Sequence, residues 1–386
     1  MDFALEINQR YPQIIENYHR LHSCPELSNR EEETHRFILE KVKASGVHSI
    51  ETYGTGIVCT LEGTTPGMHL AFRAEMDALP IDEQTGVGFA SINQGVMHAC
   101  GHDFHMACLL SALEILGNRR NEIQGKVTFV FQPSEESLPG GAKQMLQQGL
   151  FAQEKPDLMI AQHVFPDLPV GHFGFRSGKY MASGDEIYVV LHGKGGHAAL
   201  PHQSNDVVVA MSQTVIALQT IRSRIIDPTI PFVLSFGKAI ADGANNVLPM
   251  EARLEGTMRT LDEYWRREAK QHIMKITEHS AAVYGCSADV QIVEGYPVLE
   301  NNPKYTEELR SIAQSMVGSH QVHELPIRMT TDDFAYFAQQ IPSVYYRIGV
   351  GESAGKLHTP NFLPPTEAFK PAIEFILHIL STFNGR

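Results

Sequence analysis

The alternation of strand-like and helix-like segments is the feature that most constrains how this chain folds. Short β-rich runs at 68–74, 126–132 and 157–164 are separated by segments with helical spacing of apolar residues, such as 104–116. Strands that alternate with helices are typical of an α/β layer architecture. The sequence therefore predicts an α/β domain in the first part of the chain.

The pattern changes near residue 180, where strand signals begin to follow one another directly. The successive strand, helix, strand, strand, helix and strand segments are 185–193, 206–221, 231–240, 251–260, 263–285 and 288–295. This β-α-β-β-α-β order is that of a ferredoxin-like unit. Helix and strand signals of the first kind then return. We therefore predict a discontinuous α/β domain, 1–179 plus 296–386, interrupted by an inserted ferredoxin-like domain at 180–295.

Composition narrows the classes of partner. The chain has 386 residues and a formal net charge of −13, which opposes binding to nucleic acid phosphates and to anionic membrane surfaces. Its five cysteines are scattered without a CxxC pair, which does not indicate a disulfide framework. We see no signal peptide and no apolar run approaching the ~18 residues of a membrane helix. The sequence predicts a cytoplasmic protein that acts on a small substrate, without nucleic acid or membrane partners.

The segment MHACGHD at 97–103 carries the densest chemical signal. It brings four metal-capable side chains, His98, Cys100, His102 and Asp103, within six residues. A thiolate, an imidazole and a carboxylate suit Zn²⁺, Mn²⁺, Co²⁺ or Ni²⁺. Gly101 allows a backbone turn through which Cys100 and His102 can face one centre. A turn with a buried cysteine and surface histidines would give the same pattern, so the segment alone leaves both interpretations open.

Further polar residues follow the three buried β-rich runs. Asp77 comes after the first run, Glu135 and Glu136 after the second, and His163 ends the third. In open α/β sheets the carboxyl ends of the strands line the ligand crevice, so we expect these side chains to converge on one edge. His358 lies in a loop before the terminal helix, and by itself it is more typical of a surface histidine than of a ligand.

Nine motifs spread over nearly the whole chain can be compared with known families. They are CPELS (24–28), FRAEMDALPI (72–81), MHACGHD (97–103), QPSEE (132–136), GGHAALPH (195–202), NVLP (246–249), GTMRT (256–260), DDFAYF (332–337) and LHTPNF (357–362). In this order they resemble the di-metal amidohydrolases related to aminoacylases and bacterial glutamate carboxypeptidases. The resemblance is greatest to the branch of hippurate hydrolases, N-acetyl-diaminopimelate deacetylases and plant indole-3-acetyl-amino-acid hydrolases.

The resemblance implies a site with two divalent metal ions. Cys100 would bridge the two ions, and the remaining ligands would be His102 and His163 at one ion and Glu136 and His358 at the other. Glu135, adjacent to the ligand Glu136, would be the general base. Asp77 is better interpreted as a residue that orients a metal-bound histidine, because such histidines usually need a hydrogen-bonding partner.

The resemblance also implies roles for the inserted domain as a lid and as a dimerisation domain. His197 would donate a hydrogen bond to the developing oxyanion, although a histidine in a glycine-rich turn can also be purely structural. Asn246 and Arg259 would hold the substrate carboxylate, a role that suits the guanidinium group. An ordinary solvated strand charge is an almost equal alternative for Arg259. The protein is expected to be a homodimer.

The function predicted from these motifs is hydrolysis of the amide bond of N-acyl amino acids. A dipeptidase or carboxypeptidase on the same scaffold, or a catalytically silent metal-binding homologue, are the alternatives. A nucleotide-binding dehydrogenase is disfavoured because no GxGxxG follows an early strand. Departures from the family pattern at Ser23, Cys24 and Phe104, with Met106 and Cys108 after them, leave the ligands intact, and we expect them to reshape the acyl pocket.

Overall fold

The computed structural model describes residues 3–383, which form two compact units. The first unit consists of Met1–Gly178, Glu300–Pro326 and Asp333–Arg386, and the second of Lys179–Leu299 and Ile327–Asp332. The sequence starts the inserted domain at residue 180 and ends it at 295, one and four residues from these bounds.

The short segment Ile327–Asp332 belongs to the second unit, whereas the sequence assigns it to the discontinuous α/β domain. Backbone hydrogen bonds explain the difference. The amide of Ala182 donates to the carbonyl oxygens of Arg328 and Thr330, each at 3.1 Å, so the segment is tied to the second unit. Pairing between residues so far apart in sequence leaves no local pattern from which it could be predicted.

The spacing of apolar residues predicts helices at 5–22, 30–46, 104–116, 206–221, 263–285, 306–317 and 367–383, and a helix lies at each of these places. The α-helices are α1 (Phe3–Ser23), α2 (Glu32–Ala44), α3 (His102–Gly117), α4 (Gly141–Gln147), α5 (Val207–Thr220), α6 (Glu263–Ala282), α7 (Pro303–Val317), α8 (Ala335–Ala338) and α9 (Phe369–Phe383). The two short helices, α4 and α8, are not predicted, because one or two turns are too short to show a helical period.

The longer strands are likewise predicted, including those at 56–62 and 343–349, and the shorter ones are not. The strands are β1 (Ser49–Tyr53), β2 (Gly56–Glu62), β3 (Thr65–Glu75), β4 (Gln124–Gln132), β5 (Leu158–Phe165), β6 (Phe173–Phe175), β7 (Gly178–Met181), β8 (Ser183–His192), β9 (Gly196–His197), β10 (Phe232–Ile240), β11 (Val247–Leu248), β12 (Glu251–Thr260), β13 (Ser287–Glu294), β14 (Leu299–Asn301), β15 (Val322–Glu324) and β16 (Ser343–Gly349). Strands of two to five residues are set by their partners rather than by their own sequence.

The first unit is built on a mixed eight-stranded sheet in the order β1-β2-β4-β3-β5-β16-β6-β15. Strands β4, β3, β5 and β16 run parallel to one another at its centre. Every residue of β5 is buried, which is typical of a parallel strand covered on both faces. Helix α3 is also buried almost all round, since its sequence is apolar on every side. The α/β architecture predicted for this unit is confirmed.

The second unit contains a four-stranded antiparallel sheet in the order β10-β12-β8-β13. Along the chain its strands and helices follow the order β8, α5, β10, β12, α6, β13, apart from the two-residue strands β9 and β11. The two helices have their own apolar core with this sheet, including Ile187 and Leu191 of β8 and Ile273 of α6. Within residues 3–383, no helix combines the length and the hydrophobicity needed to cross a membrane.

A buried ion pair joins helix and sheet in the second unit. Arg266 of α6 donates two parallel hydrogen bonds, each 2.8 Å long, to the carboxylate of Asp185 on β8. Burial alone would raise the pKa of Asp185, but its hydrogen bonds from Arg266 and the charges of Arg266 and Lys270 lower it. This stabilisation is therefore present at neutral pH and is lost as the pH falls through the folded-state pKa.

Replacing Asp185 by Ala should lower the free energy of unfolding by about 3 kcal/mol, because the buried Arg266 would lose both of its 2.8 Å hydrogen bonds to Asp185 and keep the longer ion pair with Glu263, at 3.2 Å. Urea unfolding at neutral pH measures the loss. The matched control is Lys238→Ala, which removes the exposed pair with Glu255 and should cost less than about 1 kcal/mol. Equal effects of the two substitutions would contradict the role assigned to the buried pair.

Candidate metal centre

The predicted convergence of polar residues on one sheet edge is confirmed. Strand β3 lies between β4 and β5 and is parallel to both, so the carboxyl ends of all three strands face the same way. Asp77 follows β3, Glu135 and Glu136 follow β4, and His163 lies near the end of β5. The loop that precedes α3 supplies Cys100 and His102 to the same edge.

Gly101 determines how this loop presents its two side chains. It has a φ angle of +82°, in the left-handed region that favours glycine. A Cβ atom at this position would come within 2.7 Å of the Val164 side chain, so any larger residue would be strained and would also collide with β5. The turn leaves Cys100 and His102 buried on either side of it.

The first cluster of potential ligands contains Cys100, His102 and His163. Their ligand atoms all lie within 4.8 Å of one another, and Cys100 Sγ is 3.4 Å from His163 Nε2. His163 Nδ1 lies 2.8 Å from the carbonyl oxygen of Val164. Because a carbonyl can only accept, Nδ1 carries the proton, and the lone pair of Nε2 faces the cluster.

The second cluster contains Cys100, Glu136 and His358, again within 4.8 Å. His358 Nε2 lies 3.4 Å from Glu136 Oε1. His358 has a φ angle of +60°, and its amide donates to the carbonyl oxygen of Ala99 at 2.8 Å. That backbone contact holds a loop remote in sequence against the loop of Cys100, so a histidine that looked like a surface residue joins the site.

A third cluster links the other two. His102 Nε2 lies 4.0 Å from Glu135 Oε2 and 3.9 Å from Glu136 Oε1. Cys100, His102 and Glu136 each belong to two clusters, so the potential ligand positions are contiguous and shared. Such sharing of ligands is what a site for two adjacent ions requires.

Hydrogen bonding tests whether these residues fit a metal ion. Among residues 3–383, His102 Nε2 and Glu136 Oε1 are buried and have no hydrogen-bond partner. Buried polar atoms normally have a hydrogen-bond partner. Two unpaired polar atoms that lie close together therefore indicate a ligand that both of them bind. The donor set of one thiol, three imidazoles and carboxylates suits Zn²⁺ and similar divalent ions. The residues therefore fit the metal centre predicted from the sequence.

Asp77 lies where an orienting residue should lie. The backbone carbonyl oxygen of Asp77 accepts a hydrogen bond from His102 Nδ1 at 2.8 Å, and its carboxylate oxygen Oδ1 lies 3.4 Å from the same nitrogen. The other carboxylate oxygen accepts from the Ser28 hydroxyl and from the Glu136 amide, at 2.6 and 2.9 Å. Asp77 thus fixes the ring of His102 and the backbone of Glu136 together.

The carboxylates around His102 and Cys100 favour a positive charge at the candidate metal centre. Burial would lower the pKa of His102, but its hydrogen bond to Asp77 and the charges of Glu75, Asp77 and Glu136 raise it to about 10. Burial and the carboxylates of Glu136 and Glu135 raise the pKa of Cys100 well above its ordinary value. Binding of a cation by His102 and Cys100 therefore has to displace protons, and the surrounding carboxylates favour that exchange.

Two members of the MHACGHD motif do not join the clusters. His98 is fully buried, and burial lowers its pKa to about 4, but neither ring nitrogen has a hydrogen-bond partner within residues 3–383. Asp103 accepts a hydrogen bond from His22 Nδ1 at 2.6 Å and another from the Phe104 amide. Only Cys100 and His102 of the four metal-capable residues in the motif therefore face the candidate centre.

The structure places Phe104, Met106 and Cys108 in the hydrophobic core of the first unit, where all three are fully buried, and their effect on an acyl pocket stays a prediction. The Phe104 ring packs against Phe369 of α9, with the ring centroids 4.3 Å apart. Since α3 is buried on all sides, substitutions along it change core packing.

The three candidate residues of the inserted domain lie in the second unit. His197 is exposed in β9, where it pairs with Val247 of β11, and the next amide along the chain, that of Ala198, donates to the carbonyl oxygen of Asn246. His197 and Asn246 are thus neighbours. Arg259 is half-buried on β12 and donates a hydrogen bond of 3.1 Å to the Thr331 hydroxyl.

Sequence analysis did not single out Glu75 and His105, which lie directly behind the candidate centre. His105 Nδ1 lies 2.8 Å from Glu75 Oε2, and the His105 ring is 4.7 Å from that of His163. Both residues are completely buried. One signal was available, because His105 follows His102 by three residues and therefore lies on the same side of α3.

A thiol that binds metal should be protected from alkylation. We expect iodoacetamide at alkaline pH to label Cys100 only after a chelator has removed bound metal, as measured by mass spectrometry. Two cysteines serve as controls in the same spectra. Half-buried Cys24 should react in both states. Cys59 should react in neither, because it has no solvent exposure, whereas Cys100 is 7% exposed. Equal labelling of Cys100 with and without the chelator would contradict a ligand role.

A cluster of thiol, imidazole and carboxylate groups at the carboxyl ends of parallel strands defines the class of a metal-dependent hydrolase. Comparison with known proteins specifies the family. Residues 71–382 match the model of peptidase family M20/M25/M40, and the chain belongs to this family. The family resemblance predicted from the motifs is confirmed, and so is the class of reaction, hydrolysis of an amide bond.

Individual relatives cover nearly the whole chain. An N-acetyldiaminopimelate deacetylase of Anoxybacillus flavithermus is 38% identical over 367 residues, covering 95% of this chain and 96% of the relative. Thermostable carboxypeptidase 2 of Saccharolobus solfataricus is 36% identical over 353 residues, covering 90% and 88%. The crystal structure of a dinuclear metal-binding peptidase of Bacillus subtilis matches with a TM-score of 0.84 and 30% identity, covering 97% and 98%.

Proposed function

We propose that this protein removes the acyl group of an N-acyl amino acid, with two divalent metal ions bound at Cys100, His102, Glu136, His163 and His358. The observation that carries the proposal is the set of contiguous ligand clusters that share Cys100 and Glu136. In this assignment Cys100, His102 and His163 would hold one ion, and Cys100, Glu136 and His358 would hold the other. When bound, such ions lower the pKa of a water molecule and polarise the substrate carbonyl.

Glu135 is the general base in this proposal. Its side chain is buried next to the ligand cluster, with Oε2 4.0 Å from His102 Nε2. The backbone on either side is held in place, because the Ser134 amide donates to Glu31 and the Glu136 amide donates to Asp77. Glu135 can therefore accept the proton of the attacking water and later deliver it to the leaving nitrogen without a change of backbone conformation.

The second unit supplies the remaining parts of the proposal, as a ferredoxin-like lid and dimerisation domain. Strand β10 is an edge strand, and on α5 Val209 and Ile216 are 44% and 65% exposed. An edge strand beside an exposed apolar helix face suits pairing with a second copy of the chain. We propose that His197 donates to the developing oxyanion and that Asn246 and Arg259 hold the substrate carboxylate.

The choice of substrate class rests on the relatives. The deacetylase names of several relatives favour an N-acetyl amino acid, and the carboxypeptidase relative favours a peptide as the second candidate. Both substrates present an amide next to a free carboxylate. Zinc, manganese, cobalt and nickel all suit the ligands. A cytoplasmic location stays a prediction from the scattered, unpaired cysteines.

A substrate panel tests the proposal directly. Metal-free protein is reloaded in parallel with Zn²⁺, Mn²⁺, Co²⁺ or Ni²⁺, and release of free amine is measured from N-acetyl amino acids, N-acetyldiaminopimelate, N-benzoyl amino acids and dipeptides. The proposal predicts the highest kcat/KM on an N-acyl amino acid and no turnover without metal. A preference for dipeptides would favour the peptidase alternative, and turnover by metal-free protein would contradict the proposed centre.

A further inference from the structure

A pair of buried residues, Glu75 and His105, contacts the strand that carries His163 but belongs to none of the assigned ligands. Strand β3 pairs with β5 only as far as Arg73 opposite Ala161. The Val164 amide lies beyond this ladder, and it donates to His105 Nε2 at 3.0 Å. The imidazole of His105 thus replaces a missing strand partner at the end of β5.

These hydrogen bonds determine which nitrogen of His105 carries the proton. A backbone amide can only donate, so Nε2 is the acceptor and Nδ1 carries the proton. Nδ1 then donates to Glu75 Oε2 at 2.8 Å. Glu75, His105 and His102 could also form a metal cluster by distance alone. Because both nitrogens of His105 are already engaged, we interpret the residue as a support and not as a ligand.

Glu75 is itself immobilised by charge. Its Oε1 accepts a hydrogen bond from Arg73 Nη1, while the same guanidinium donates to Asp333 at 2.7 Å and to Gln132 at 2.8 Å. The side chains of Arg73, Glu75 and Asp333 have no solvent exposure. The orientation of His105 is therefore fixed by a rigid buried network.

The network reaches His163 through a single residue. Val164 donates its amide to His105 and accepts a hydrogen bond from His163 Nδ1 through its carbonyl, at 2.8 Å. The rings of His105 and His163 also contact each other, with centroids 4.7 Å apart. Fixing the backbone at Val164 consequently fixes the direction in which His163 Nε2 points.

We infer that Glu75, acting through His105, is a positioning residue that aims His163 at the metal centre, an inference that rests on the proposed function. The supports of metal-bound histidines typically change metal affinity 10–100-fold when they are lost. A residue that served only the fold would lower stability and leave metal affinity in the folded protein unchanged.

The test compares zinc affinities, measured by competition with a chelator, in folded variants of the full chain. His105→Phe keeps a ring of similar size but removes the acceptor, and we expect it to weaken zinc binding about 10–100-fold. His105→Gln restores a carbonyl acceptor near the position of Nε2 and should recover most of the loss. The absorption spectrum of the cobalt-loaded protein should shift for His105→Phe and return towards wild type for His105→Gln.

The matched control is His69→Phe. His69 is a buried histidine of the same strand as Glu75. Its ring contacts the Thr128 hydroxyl at 2.8 Å through Nε2 and the Glu154 carboxylate at 3.6 Å through Nδ1. It touches none of the proposed ligands, so its loss should lower stability without changing zinc affinity. Zinc affinity of His105→Phe within twofold of wild type, or an equal loss in His69→Phe, would overturn the inference.

A second variant covers the case in which His105→Phe does not fold. In Glu75→Gln the oxygen of the amide must face Arg73, so its N–H groups face the protonated Nδ1 of His105. Relieving that clash moves the proton to Nε2, where it opposes the Val164 amide. We expect a zinc affinity 10–100-fold weaker than that of wild type, and unchanged affinity would overturn the inference. Wild-type protein that binds none of Zn²⁺, Mn²⁺, Co²⁺ and Ni²⁺ would instead contradict the proposed function.

Discussion

Replacing Glu135 by Gln should lower kcat by at least ~10² while both metal ions stay bound. Gln has the same shape as Glu but cannot accept the proton of the attacking water. The side chain is buried beside His102, so the substitution removes the base without opening the site to solvent. Steady-state kinetics measures the loss of kcat, and metal analysis of the same preparation measures whether both ions stay bound.

The neighbouring carboxylate provides the control for Glu135→Gln. Glu136 has a buried oxygen without a hydrogen-bond partner among residues 3–383, and it lies 3.4 Å from His358 Nε2. Glu136→Gln should therefore lose metal as well as activity. If Glu135→Gln turns over at a near-normal rate with its metal content intact, the assignment of Glu135 as the base is wrong. Loss of metal from both variants would indicate that Glu135, like Glu136, is a metal ligand.

Replacing His197 by Ala should lower kcat by ~10²–10³ with little effect on metal content, since that is the usual loss when one oxyanion donor is removed. His197 is exposed in the second unit, and its Nδ1 accepts a hydrogen bond from the Ala199 amide at 3.1 Å. Nε2 then carries the proton and can donate it to a substrate. A residue that only caps its glycine-rich turn would change stability and leave kcat unaltered.

A mixing experiment decides whether His197 acts in its own subunit or across a dimer. Inactive Glu135→Gln and inactive His197→Ala proteins are dissociated and reassociated together. If His197 serves the partner's site, each mixed dimer contains one site with both groups intact, and about a quarter of wild-type activity should return when subunits exchange at random. Mixed dimers without activity would exclude the cross-subunit role. A protein that is monomeric at the assay concentration would also exclude it, because no partner subunit would be present.

The ligand types and the sheet edge were predictable from sequence because they depend on local patterns. Residues 126–132 and 157–164 are apolar enough to be buried strands, and polar residues just beyond such strands meet at one edge whenever the strands are parallel. The left-handed turn at Gly101 likewise follows from a glycine between two potential ligands. Long helices were predicted for the same reason, since the helical period is visible over several turns.

The sequence by itself determined the α/β class, the family, and Cys100, His102, Glu136, His163 and His358 as candidate ligands, because these follow from periodicity and from motifs of adjacent residues. Only the tertiary structure decided that the loop of His358 lies against the loop of Cys100 and that Phe104 lies in the core. It also decided that the His105 ring contacts His163 and that Glu75 holds His105 in place. These outcomes depend on contacts between residues far apart in sequence, such as His358 with Ala99 and His105 with Val164, and burial and hydrogen bonding at such contacts are set by packing alone.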